Sequence, residues 1–148
     1  MHDFFTSFVT LAGGILVFAL TQYWLKLVLE PISRVRRTLA DISSTALFHQ
    51  AAICNGRSDE ALATEFRKLS ANLRAAVYEV RHYRVVAKMC GVPSEANALA
   101  GCHQLNLLSY HTRPEGQYGH SADWWATENS RTLIKLSDLL GIKTRYSD

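Results

Sequence analysis

Charge is absent from the start of this chain. Phe4 through Leu25 form a run of 22 residues without Asp, Glu, Lys or Arg, rich in Phe, Leu, Val and Ile. No Lys or Arg precedes Lys26, so the basic start of a secretory signal is missing, and no Ala-x-Ala cleavage pattern follows. An uncleaved apolar segment is expected instead. Proline occurs 3 times, and neither a low-complexity segment nor an internal repeat is visible, which excludes Pro-rich linkers and repeat arrays. Cys54, Cys90 and Cys102 are odd in number and widely spaced, without a CxxC or Cys/His ligand pattern. That spacing argues against a disulfide framework and points to reduced cytoplasmic thiols packed as small apolar groups. A His-Glu-x-x-His helix, a nucleophile elbow and a Gly-rich phosphate loop are all missing; Gly13-Gly14 lies inside the apolar run. No metal and no cofactor is expected.

What is present begins with that run. As a helix rising ~1.5 Å per residue, 22 residues cover ~33 Å, enough for a hydrocarbon core of ~30 Å. Residues 1–30 are therefore read as a transmembrane anchor, and residues 31–148 as one domain on a single side of the bilayer. All 16 Lys and Arg lie at or after Lys26, with Arg34, Arg36 and Arg37 close behind the run. The positive-inside rule then places the domain in the cytoplasm and the short N-terminus outside, as in a bacterial inner membrane. Tyr23 and Trp24 fall where interfacial aromatics sit, and Lys26 can snorkel to the headgroups. From Lys26 on, 16 basic residues face 12 acidic ones, a net of +4 that suits anionic headgroups and by itself implies no nucleic acid.

The rest of the chain has helical periodicity. Ile32, Val35, Leu39, Ile42 and Ala46 alternate spacings of three and four, a stripe expected to run to about Ile53 and to stop at Asn55-Gly56. Pro31 suits a first helical turn or a bend at the membrane exit. Ser58 is the expected N-cap of a second helix carrying Leu62, Phe66, Leu69, Leu73, Ala76, Val80, Tyr83 and Ala87, stopped by Gly91 and Pro93. Ser94 caps a third with Leu99, Leu105 and Leu108, and Ser121 a fourth with Trp125, Leu133, Leu136 and Leu140, ending at Gly141. Residues 112–119 form the clearest loop. The fold class expected is all-α: one N-terminal span followed by an antiparallel bundle of about four helices. Alternating directions would put the loops around Gly56 and Gly116 at the membrane-distal end.

Four sets of residues are candidates for function. Thr6, Thr10, Gly13, Gly14 and Thr21 recur along one side of the span, where small residues let a second helix approach and hydroxyls bond across. Gln22 and Lys26, one turn apart, would line a polar seam or a pore, or sit among headgroups. Arg113 and His120 enclose six residues just before the last helix; a cation to hold a phosphate and an imidazole to move a proton are what metal-independent RNA cleavage needs. Arg67, Lys68, Arg74, Arg81, Arg84 and Lys88 form a basic run on the second helix, which is a solvated face or a contact for acidic lipid or RNA.

The exit pattern Gln22-x3-Lys26-x2-Leu29-Glu30-Pro31-Ile32 resembles small bacterial single-pass inner-membrane proteins of unassigned function. The Arg113-x6-His120 spacing in a helical bundle is similar to that of HEPN ribonucleases, whose sites are commonly completed by dimerisation. Pro114, directly after the arginine, departs from the polar residue usual there. One span plus a HEPN-like bundle also resembles the membrane accessory proteins of type VI CRISPR systems, which implies a ring-shaped pore that limits phage growth. The function expected is a self-associating, non-enzymatic membrane effector or pore-type protein in bacterial defence or stress response. A membrane-tethered HEPN-like ribonuclease and an adaptor docking an acidic partner or lipid are the alternatives. Expected partners are the bilayer, further copies of the chain and a protein partner; nucleic acid stays open.

Overall fold

The computed structural model describes residues 2–114 and 119–146, with side-chain surroundings given from residue 7 onward. Among the described residues every regular element is helical and no strand is formed. Helix α1 spans His2–Trp24 and continues through a π turn, Leu25–Leu29, into α2, Glu30–Phe48. Of the two expectations for Pro31, the first helical turn holds: it is the second residue of α2, which follows the π turn without a break. The π turn explains why. A proline removes one backbone donor and its ring collides with the carbonyl four residues back. The extra residue in the turn just before Pro31 lets the Glu30 N–H donate to the Leu25 carbonyl and widens the backbone there.

Helix α3 is Gln50–Cys54, α4 Glu60–Glu79, α5 Tyr83–Cys90, α6 Glu95–His111 and α7 Ala122–Leu140. The first expected helix is thus divided at His49 and the second between Val80 and His82. The second division is invisible to periodicity because Val80, Tyr83 and Ala87 are all buried on either side of it. His82 makes the break, with φ at +58°, the sole positive φ among the described non-glycine residues. Histidine visits this region more readily than most residues, but its Cβ still costs about 1 kcal/mol or more there. His82→Gly should therefore raise the unfolding free energy by roughly 0.5–1 kcal/mol, read from denaturant unfolding of the detergent-solubilised chain.

Caps fall mostly where the sequence places them. Ser94 Oγ accepts from Asn97 N–H and Ser121 Oγ from Trp124 N–H. The α4 cap is Asp59 rather than Ser58: its Oδ1 accepts from Ala61 and Leu62 N–H at 2.9 and 3.2 Å. A carboxylate there satisfies two orphan donors and adds charge at the positive helix end. Gly141 closes α7 in the left-handed conformation.

Neighbouring helices run in opposite directions. Arg34 at the start of α2 pairs with Glu79 at the end of α4, while Thr45 near the other end bonds Glu65. Asp59 N–H donates to Thr112 O, and Ser70 Oγ to Cys102 O, which sets α4 against α6. Gly101 and Leu140 meet where α6 crosses α7, and His111 and Asn129 meet at the opposite end. The core between these helices is built on Val35, Ile42, Phe66, Leu73, Leu105 and Leu136, all essentially inaccessible to solvent.

Candidate functional site

Among the described residues the N-terminal helix stands apart from the helical domain up to its last turn. From Ser7 onward it is long and apolar enough to cross a membrane, and none of that apolar window is buried inside the chain. Phe8, Leu11, Phe18 and Leu20 each expose roughly six-tenths of their surface. At about 3.6 residues per turn, Thr10, Gly14, Val17 and Thr21 share one side, with Gly13 at its edge. Nothing lies within 4 Å of a Cβ built on Gly13 or Gly14, so that side is open to a close-packed neighbour. Thr21 Oγ1 donates to Val17 O within its own helix. The side chain of Thr6 lies outside the described residues. Gln22 is half-buried and Lys26 exposed, one turn further along.

The opposite end of the molecule holds Arg113 and His120, and each has a different partner. Arg113 Nε lies 3.7 Å from Glu60 Oε1, an ion pair too long for a hydrogen bond, which leaves this buried N–H unsatisfied. His120 stacks on Trp124, the ring centroids 3.9 Å apart and the planes 13° from parallel, and meets Trp125 edge-on. One cation is thus held by a carboxylate on α4 and one imidazole by an indole on α7. The intervening residues 115–118, which include Gly116, lie outside the described residues.

Beneath them is a polar bridge that the sequence pattern did not reveal. Asn129 is fully buried; its Nδ2 donates to Ile53 O at 3.0 Å, and its Oδ1 faces His111 Nδ1 at 3.1 Å. The amide orientation set by Ile53 makes Oδ1 the acceptor and places the imidazole proton on Nδ1. Burial holds the His111 pKa below its ordinary value, opposed by the Asn129 bond and by Glu128. Burial likewise pushes the Cys102 thiol up, in keeping with a packed, unreactive cysteine. Cys54 and Cys90 are free and half-buried. Among the described residues no group of three or more His, Cys, Asp or Glu is placed to hold a metal.

The basic run splits with its helix. Arg67 and Arg74 stay exposed on α4, Arg74 over the Tyr78 ring, whereas Arg81 falls in the break and Arg84 and Lys88 lie on α5. Helix α5 returns to the segment where α1 joins α2. There Trp24, Leu27 and Val28 face Val85 and Met89 across a groove of about 440 Å³. The one sequence signal for this placement was the dense Arg81-His82-Tyr83-Arg84 cluster. Comparison with protein-family models, curated proteins and solved structures finds no match for this chain.

Proposed function

We propose that the chain is a single-pass membrane protein whose helical domain lies on the cytoplasmic side and which acts by self-association rather than by catalysis. The observation that carries this reading is the bare apolar helix. A helix that is apolar all round is stable only when something covers it. Here no part of the fold does. Each large apolar side chain leaving water contributes about 1.5–3 kcal/mol, and a bilayer supplies that cover along the whole segment. Lys26, Arg34, Arg36 and Arg37 on the domain side support the cytoplasmic orientation.

The continuity of α1 with α2 suggests how association would act. From Ser7 to Phe48 the chain is a single helix of 42 residues, ~63 Å long, and its second half forms one wall of the domain core. Spans that pair through the Gly13/Gly14 side would therefore bring their domains together in a fixed register. The opposed helix directions support an antiparallel four-helix arrangement of α2, α4, α6 and α7. The mass of the full-length chain in detergent tests the reading. An oligomer is expected, and Gly13→Leu/Gly14→Leu should weaken it by ~1–2 kcal/mol, about tenfold in Kd. A strict monomer at micromolar concentration would overturn it. The ribonuclease reading finds less support, because Arg113 and His120 are each engaged elsewhere.

A further inference from the structure

We infer that the groove between the end of α1 and helix α5 is a binding site for one anionic phospholipid, with its phosphate on Arg81 and the upper part of an acyl chain between Trp24 and Met89. The inference rests on the membrane-anchored reading and adds a ligand to it.

Position comes first. The groove lies at the end of the apolar run, where Tyr23 and Trp24 would meet the headgroup layer. One wall is the exposed apolar surface of the span itself, so a lipid alongside the span reaches the groove without leaving the bilayer. The other wall is α5, whose two faces differ sharply. Tyr83, Val86 and Ala87 are buried against the domain. Val85 and Met89, one turn apart, are 60% and 69% exposed and look into the groove. Arg84 and Lys88, also exposed, lie on the side of α5 that faces the start of α6, so the cation of this groove is Arg81, just before α5. Apolar residues beside cations on the outward half of a helix suit the boundary between acyl chains and headgroups.

Charge complementarity selects an anionic lipid. Between Glu79 and Glu95 the chain carries Arg81, Arg84 and Lys88 and no acidic residue. Glu79 is engaged by Arg34. Arg81 and His82 both line the groove. The backbone also supports a functional placement. The left-handed His82 is what turns α5 away from the α4 axis toward the span. Strain kept at a non-glycine residue often marks a site.

The test uses the full-length chain reconstituted with equal amounts of phosphatidylglycerol and phosphatidylcholine, then extracted in mild detergent. Lipids retained are counted by native mass spectrometry, and an alkaline carbonate wash of the reconstituted membranes reports anchoring separately. The wild-type chain should retain phosphatidylglycerol in preference to phosphatidylcholine. Arg81→Ala should lower that preference about fivefold, the effect of one cation removed near an anionic surface. Met89→Asp should lower retention of phosphatidylglycerol without removing a cation. Both positions are exposed, so folding should persist in each variant. An anchored wild-type chain without lipid preference, or variants that keep it, would overturn the lipid site and leave the anchor standing. A chain washed off by carbonate would overturn the anchor itself, and the lipid site with it.

Discussion

Gly56→Ala should destabilise the domain by about 2–5 kcal/mol, because it combines backbone strain with a collision against backbone. Gly56 has φ at +63°, where a Cβ is already costly. An added Cβ would also stand 2.5 Å from Ala122 O and 3.2 Å from Ala126 N. Neither atom is the end of a flexible side chain; relief would require α7 to shift at its first turns. That shift would disturb Trp125, which packs there against His111, and so the whole distal end. Gly91 and Gly141 provide the control. Both have φ near +64°, yet nothing lies within 4 Å of a Cβ built on either. Gly91→Ala and Gly141→Ala should therefore cost only the conformational part, about 1–2 kcal/mol. Denaturant unfolding of the three variants in detergent separates the terms. Equal losses would show that the α7 approach adds nothing.

The long-range features of this fold were readable where they depend on patterning. Every position predicted for the stripe of α2 is buried, as are those predicted for α4, α5 and α7, although Pro31, Thr38, Ala63, Ser70, Val77, Val86, Asn129 and Thr132 are buried beside them. In α6, Leu105 and Leu108 are buried and Leu99 only half so. Breaks were harder to read. The stripe of three and four continues across Val80, Tyr83 and Ala87 although the helix does not, because a left-handed residue can return the chain to the same buried side. Pro31 left a first helical turn and a bend both open, and it stands in the first turn of α2; the π turn before it depends on backbone spacing, which residue identity does not encode. The Asp59 cap was displaced by one residue because both neighbours are good caps and only geometry separates them.

The candidate sites divide along the same line. That Gly13 and Gly14 share a side of the helix with Thr10 and Thr21 follows from helical spacing alone. Arg113 and His120 were legible as a spacing but not as an arrangement. Glu60 and Trp124, which hold them, come from two different helices, and no local pattern predicts such pairing. The groove at α5 and the Asn129 bridge are likewise products of tertiary packing.

Asn129→Ala should cost about 1–3 kcal/mol, since it removes two buried hydrogen bonds. Ile53 O would lose its 3.0 Å side-chain donor and keep the Gly56 N–H at 3.1 Å, and His111 Nδ1–H would lose its 3.1 Å acceptor. Asn129 is fully buried, so water does not readily replace the lost bonds. The bridge also ties α3 to α7 and α7 to α6, so the effect should appear as loss of global stability. Its pH dependence follows from His111. In the unfolded chain this histidine titrates near 6.5, whereas burial holds the folded value lower. The folded state thus resists protonation while the unfolded state accepts it. The contribution is whole above pH ~6.5 and falls as the pH drops toward the lowered folded value, by at most ~1.4 kcal/mol per pH unit. Asn129 is one of the groups that raise the His111 pKa, so its removal should carry the fall to lower pH. Unfolding measured at a series of pH values checks both parts. A loss below ~0.5 kcal/mol would place Asn129 among ordinary surface substitutions and refute its role as the bridge.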